Sequence, residues 1–507
     1  MNSLSQVRSL LVGGRVTSRQ LIIDSLNRID ATKKFNAYIT LEDREKLLND
    51  ADESDKRLQH QQQQQQSGVK RELEGIPIAV KDNFSTSKLK TTCASKILEN
   101  YIPSFDATVV SRLKEAGAII VGKTNMDEFA MGSSTSTGHF GASINPYSRD
   151  AGESLVAGGS SGGSAVAVKL NTVSAAIGSD TGGSVRQPAA YCGLLGFKPT
   201  YGSISRYGMI AFASSLDTPG FFVHNAVDAA ILLDVLVGRD CNDSTSIEHP
   251  MQKKFQQYLN SRDNNQDMKG LVFGIPTDYL VKEMDPEIIN LWRETVDLIE
   301  QAGGKVVAVD LPHTKYALPA YYILATSEAS SNLARYDGIR YGASTSGAKS
   351  LKQQYMETRS EGFGAEVKRR ILLGTMSLSR GSYDNYYNKA QQIRRLVSDD
   401  FNQVFNRQSV DILITPTTPS GPFKLGDNQD PIDMYINDIM TIPASLAGLP
   451  SASIPLAHSQ SNNKSTPTPL SLQLIGNRLQ DHKVLEAIQK IMSLNRYNNF
   501  YNQININ

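Results

Sequence analysis

The spacing of apolar residues changes character along this chain. In the first 60 residues Leu21, Ile22, Ser25, Leu26 and Ile29 recur at helical intervals, and Glu42 to Leu58 reads as a charged helix. From Leu73 onward, short apolar runs alternate with longer amphipathic ones. Runs at 76–80, 118–121, 271–275, 305–309, 410–414 and 470–475 predict strands. Helical spacing predicts helices over 106–116, 163–170, 225–237, 286–302, 318–334, 364–378, 384–406 and 481–493. Such alternation argues for an α/β domain with a largely buried sheet. Residues 59–66, Gln-His followed by six Gln, have no packing capacity and predict a loop insert, and the polar stretch 457–469 predicts a surface loop. The organisation that follows is N-terminal helices over 1–58, a Gln-rich loop over 59–72, a catalytic domain over 73–494 and a C-terminal tail over 495–507. Neither an internal repeat nor a linker interrupts 73–494.

Composition narrows the function classes. The 507 residues leave room for about three domains of roughly 150 residues or for one large elaborated domain. Lys plus Arg number 52 and Asp plus Glu 51, for a net charge of +1, which argues against a chain that grips nucleic acid by charge alone. With 40% hydrophobic and 20% charged residues the chain suits a soluble globular protein with a sizeable core. Without an apolar run of about 18 residues no membrane span is expected. Three cysteines, Cys93, Cys192 and Cys241, are odd in number and lack metal spacing, so neither a disulfide scaffold nor a metal site is expected. Residues 1–23 contain no acid and several Ser and Arg, a composition shared by transit peptides and by ordinary amphipathic helices. Glycine is unremarkable in total at 38, but 12 of the residues from Gly152 to Gly208 are Gly.

Three motifs along the chain could carry chemistry. Gly117 to Thr124 satisfies the P-loop pattern letter by letter, but its interior is Ala-Ile-Ile-Val, which is itself a strand and not a Gly-rich cradle for phosphate. Gly158-Gly-Ser-Ser-Gly162 fits a nucleophile elbow, which needs a downstream acid and His; nothing nominates one among His224, His249, His313, His458 and His482, which sit mostly in polar, loop-like stretches. The third reading uses more of the chain. Lys81 ends an apolar strand, where burial disfavours the ammonium and makes a neutral base. The Gly/Ser run around Ser160 allows unusual backbone dihedrals. The turn Thr181-Gly182-Gly183 leaves backbone N–H groups free beside Ser184 to face a developing oxyanion. Ser184 is then the nucleophile, Ser160 the proton bridge and Lys81 the base.

These residues resemble the amidase signature family, densely from about Leu73 to Arg206 and more loosely over nearly the whole chain. The resemblance implies a mixed sheet wrapped by helices, with Lys81 as base, Ser160 as a bridging serine on a cis peptide and Ser184 as the acyl-forming nucleophile. Stretches at 91–95, 125–132, 186–193, 327–332 and 366–370 are similar to the A-type glutaminase subunits of the amidotransferases that act on Glu-tRNA(Gln). That similarity implies glutamine as substrate, with Arg370 on its α-carboxylate, Asp438 on its α-ammonium, and hydrogen bonds from Tyr321 and Ser134. It implies two partners, the B and C subunits of a heterotrimer. The B subunit handles the tRNA and uses ATP and magnesium, so this chain binds no cofactor itself. Read without the resemblance, Arg369 and Arg370 fit a solvated helix face and Asp438 a helix cap. The segments 138–141, 216–220 and 311–314 look closer to mitochondrial versions, which implies a mitochondrial location, or a cytoplasmic one in a bacterial source.

Overall fold

The computed structural model describes residues 3–64, 71–148, 154–262, 267–427, 436–460 and 467–494. Eleven strands form one sheet: β1 Tyr38–Leu41, β2 Pro77–Lys81, β3 Ile119–Thr124, β4 Ala175–Asp180, β5 Leu195–Lys198, β6 Thr218–Val223, β7 Val272–Pro276, β8 Lys305–Val309, β9 Ile412–Pro416, β10 Ser451–His458 and β11 Pro469–Gly476. Their spatial order is β1-β3-β2-β4-β6-β5-β10-β11-β9-β7-β8. β2 runs parallel to both β3 and β4, and β7 parallel to β8 and β9, while the strands between them pair antiparallel. Every residue of β2, β3, β4, β5, β6, β9 and β11 is buried, as expected of strands covered on both faces by helices. The edge strands β1 and β8 are partly exposed. Among the described residues no helix is long and apolar enough to cross a membrane.

All six expected strands and all eight expected helices are present. The region 384–406 is divided into a π-helical turn Asp384–Asn388, an α-helix Lys389–Asn402 and a second π-helical turn Gln403–Arg407. Five strands lie outside the expected set: β1, β4, β5, β6 and β10. β4, β6 and β10 contain Gly, Pro, Ser or Ala where strand-favouring residues are sought, and Pro455 in β10 sits at a register shift. Burial between neighbours overrides these weak local preferences.

The Gln-rich insert departs from its expected loop. The helix Arg44–Gln64 continues into it, since Gln is a good helix former and extends a helix already nucleated. Residues 65–70 of the insert and the tail 495–507 lie outside the described residues. The N-terminal segment is an amphipathic helix packed on the body. Leu4, Val7 and Leu11 of helix Leu4–Val12 are buried, and Asp228 accepts the Leu4 and Ser5 N–H groups at 3.0 and 2.9 Å.

The P-loop pattern is a strand, as its interior implies. Lys123 ends inside the protein, 3.2 Å from Asp82 Oδ1, and donates to the Phe84 carbonyl and Thr91 Oγ1, both at 2.8 Å. Every cysteine is a free thiol, with Cys93 and Cys192 buried and Cys241 exposed.

Candidate active site

Two parallel strands, β2 and β4, end side by side, and the candidate site is built on their carboxyl ends. This is the usual place for a ligand in such sheets, because loops rather than side-chain layers follow there. Lys81 is the last residue of β2, and the Thr181–Ser184 turn follows β4 directly.

Lys81 is fully buried. Its Nζ lies 2.7 Å from Ser160 Oγ, 2.8 Å from Ser161 Oγ and 3.0 Å from Ser179 Oγ, with the Ser179 carbonyl at 3.4 Å. Burial pulls the Lys81 amine down to about 7, against the pull of Asp127, Asp180 and Asp217. A neutral amine at physiological pH is a competent base.

The Gly159–Ser160 peptide is cis. The Gly159 N–H donates to Gln187 Oε1 at 2.8 Å, and the Ser160 carbonyl accepts the Asp127 N–H at 3.2 Å. A side chain at Gly159 would collide with the Asp127 carboxylate, so only glycine fits there. The Ser184 carbonyl accepts the Ser161 N–H at 3.3 Å, which ties the second serine segment to the first. Ser184 is the most exposed of the three at 8%, against 0% for Lys81 and Ser160.

The turn before Ser184 is held rigidly from outside. Thr181 Oγ1 donates to Asp217 Oδ1 at 2.7 Å, and burial pushes that carboxyl up to about 6. Arg186 donates to the Gly182 carbonyl at 3.2 Å. The N–H groups of Gly182 and Gly183 donate to no acceptor among the described residues. A preorganised pair of unsatisfied donors beside the nucleophile is the arrangement that stabilises an oxyanion.

The four expected glutamine-binding residues are placed as follows. Tyr321 packs on the turn: a Cβ on Gly182 would lie 2.8 Å from its hydroxyl. Arg370 is buried, its Nε 2.8 Å from Glu366 Oε1 and its guanidinium stacked near the Phe212 and Tyr322 rings at 5.6 and 5.4 Å. Burial opposes the Arg370 charge, but Tyr322, Glu366 and Tyr321 more than offset it and hold the guanidinium protonated. The solvated-face reading therefore fits Arg369, whose side chain is half exposed, and not Arg370. Asp438 accepts the Ser133 hydroxyl at 3.2 Å, and burial pushes its carboxyl up to about 7 although Arg370 pulls it down. The cap reading fails for its side chain, since it is the Asp438 carbonyl that accepts the Thr441 and Ile442 N–H groups. Ser134 Oγ pairs with Ser136 Oγ at 2.6 Å.

Several residues that order the site have no role in the sequence reading, although Asp127, Ser161 and Gln187 lie within its matched stretches. Asp127 accepts the N–H groups of Ser134, Thr135, Ser136 and Thr137 and so shapes the whole 134–137 loop. Gln187 spans from Gly159 to the Ser133 carbonyl, to which it donates at 2.9 Å. Ser161 and Ser179 meet the Lys81 amine, and Asn83 donates to Ser179 Oγ at 3.0 Å. The one signal visible in the sequence is the Asp180…Arg186 pair of opposite charges flanking the glycine turn.

The nucleophile-elbow alternative finds no support. Among the described residues no histidine hydrogen-bonds to Ser160 or Ser184. His249 is buried and not in an open loop, because its Nε2 pairs with Asp481 at 2.9 Å and its Nδ1 accepts the Met251 N–H at 3.1 Å. His313 pairs with Asp400 at 2.9 Å, and His458 approaches the Tyr147 hydroxyl at 3.3 Å.

Known proteins resemble this chain in sequence and in fold. The sequence profile of the Amidase family matches residues 20–485. The chain is 52% identical to the A subunit of the mitochondrial glutamyl-tRNA(Gln) amidotransferase of Dictyostelium discoideum, covering 99% of this chain and 98% of that one. It is 49% identical to the A subunit of the glutamyl-tRNA(Gln) amidotransferase of Persephonella marina, covering 85% and 86%. The crystal structure of the Thermotoga maritima counterpart, also an A subunit, superposes with a TM-score of 0.74 at 40% identity, covering 94% of this chain and 91% of that chain. A bacterial aryl acylamidase of the amidase signature family shares the fold, with a TM-score of 0.82 at 22% identity and coverage of 100% and 99%.

Proposed function

The chain belongs to the amidase family, and from that premise we propose that it is the glutamine-hydrolysing component of a glutamyl-tRNA(Gln) amidotransferase. The observation that carries the chemistry is the 2.7 Å contact between the buried, readily neutralised Lys81 amine and Ser160 Oγ. Ser160 Oγ is the hydroxyl nearest this amine, and the Ser161 N–H that follows it donates to the Ser184 carbonyl at 3.3 Å.

In the proposed cycle Ser184 attacks the side-chain amide carbon of glutamine while its proton passes through Ser160 to Lys81. The N–H groups of the Thr181–Gly183 turn receive the oxyanion. The same relay returns a proton to the leaving ammonia, and water then hydrolyses the glutamyl ester on Ser184. Arg370 and Asp438 supply the two charges that a free amino acid needs, one for its carboxylate and one for its ammonium. Tyr321 and Ser134 complete the pocket.

The ammonia is consumed by a second protein, the B subunit, which uses ATP and magnesium to activate Glu-tRNA(Gln); the C subunit joins the two. A chain of net charge +1 fits this division of labour, since it need not hold the tRNA itself. The mitochondrial relative from Dictyostelium supports a role in organellar translation. The decisive experiment is to co-purify the chain with its two partners and measure glutamine-dependent conversion of Glu-tRNA(Gln) to Gln-tRNA(Gln). Conversion that needs added ammonia even with glutamine present would overturn the reading.

A further inference from the structure

We propose that Ser179, oriented by Asn83, together with Ser161 forms a three-hydroxyl cup with Ser160 that sets Lys81 as the base, a role that rests on the glutaminase reading and deepens it.

Donors and acceptors around the amine can be counted. A lysine ammonium has three hydrogens and no lone pair. Three hydroxyl oxygens meet Lys81 Nζ, those of Ser160, Ser161 and Ser179, at 2.7, 2.8 and 3.0 Å. The cup therefore accepts every hydrogen of the protonated amine, which is the form created when Ser184 gives up its proton.

The neutral amine needs one partner to turn round and donate. One of the three is less free to do so. The Ser161 hydroxyl donates to the Ser179 carbonyl at 3.1 Å. Ser179 Oγ already accepts the Asn83 side-chain amide at 3.0 Å, which fixes the hydroxyl that faces Lys81. Ser160 and Ser179 each keep a hydrogen for the Lys81 lone pair, and Ser160 makes the shorter contact, 2.7 Å against 3.0 Å.

Asn83 shows that this arrangement is built and not incidental. It is 2% exposed, and its Oδ1 has no partner among the described residues. A buried amide that leaves an oxygen unpaired costs stability, and such costs collect where a group serves a site. Asn83 does not touch Lys81 Nζ, so it is a positioning residue acting through Ser179. The charged and titratable groups that face Lys81 from the neighbouring elements are Asp127, Asp180, Asp217 and Cys93, and neither Ser179→Ala nor Asn83→Ala removes any of them.

The test is the pH profile of glutamine hydrolysis by the assembled complex. Ser179→Ala is expected to lower kcat about three- to tenfold with KM for glutamine unchanged. The acid limb should move about one pH unit lower, because the ammonium loses an acceptor. Asn83→Ala should shift the same limb in the same direction by less, and the double variant should be no worse than Ser179→Ala. Ser179→Thr, which keeps the hydroxyl, should restore the limb. An unmoved limb in Ser179→Ala, or losses that multiply in the double variant, overturns the proposal. Where Ser179→Ala does not fold, the limb of Asn83→Ala decides in the same way. A parent complex without glutamine-dependent turnover would sink the glutaminase reading itself, whereas an active parent with an unmoved limb sinks only the cup.

Discussion

Arg186 and Asp180 form a two-pronged ion pair directly under the Thr181–Gly183 turn, with contacts of 2.8 and 3.0 Å and both side chains fully buried. Arg186 also donates to the Gly182 carbonyl, the Thr441 carbonyl, Gln473 Oε1 and Ser445 Oγ, so every prong of the guanidinium is used. Removing one partner leaves the other charge buried and unpaired. Arg186→Ala is therefore expected to destabilise the fold by about 3–5 kcal/mol. The check is a urea or thermal unfolding curve of the variant beside the parent chain. Arg186→Lys should recover little, since a single ammonium does not reproduce five donors in a plane.

Ser184→Ala should abolish glutamine-dependent amidation and leave ammonia-dependent amidation by the complex intact. Lys81→Ala should lose activity to a comparable degree, because members of one relay do not contribute independently. Glutaminase turnover surviving in purified Ser184→Ala would remove that residue from the mechanism. Near-normal turnover in Lys81→Ala would return attention to a different base.

The parts of the fold that are legible in the sequence are those whose local preference agrees with their burial. Ile76–Val80 and Lys305–Val309 are β-branched runs, and both are strands. Ala175–Asp180, which carries the turn to the nucleophile, has a Gly, a Ser and an Asp in six residues and is held as a strand by its neighbours β2 and β6. The serines and Lys81 are legible because each lies in a compact motif. Ser179 and Gln187 are not, because their partners are remote: Lys81 lies 98 positions from Ser179, and Ser133 lies 54 from Gln187. Arg370 and Asp438 stand out only through resemblance. Alone, an exposed helix face and a cap are the plainer readings, and only burial separates Arg370 from its neighbour Arg369.

Substrate choice should depend on Arg370 and Asp438, the two residues proposed to hold the charges of glutamine. Arg370→Ala and Asp438→Asn should each lower kcat/KM for glutamine by about 10- to 100-fold, the worth of a hydrogen bond to a charged group. Neither change should affect hydrolysis of a small aliphatic amide in proportion, since such a substrate has no α-carboxylate or α-ammonium to lose. Parallel assays on glutamine and on an uncharged amide measure the ratio. An equal loss on both substrates would place these residues outside the pocket.

Lys81 and Asp438 both titrate near neutrality, for one shared reason, and their pH signatures separate. Burial lowers Lys81 to about 7 and raises Asp438 to about 7. Lys81 works as a base only when neutral, so activity is lost as pH falls below about 7. Asp438 holds an α-ammonium only when ionised, so free-enzyme affinity for glutamine is lost over the same range. Once glutamine is bound, its ammonium keeps Asp438 ionised, and the carboxylate drops out of the profile. Below pH 7, kcat should therefore fall by about one decade per pH unit and kcat/KM by about two. In Asp438→Asn the kcat/KM slope should fall to about one while the kcat limb stays where it was. Full pH profiles of both constants on the parent complex and on Asp438→Asn measure this directly. A kcat/KM slope of one in the parent would show that only one of the two groups titrates in the free enzyme.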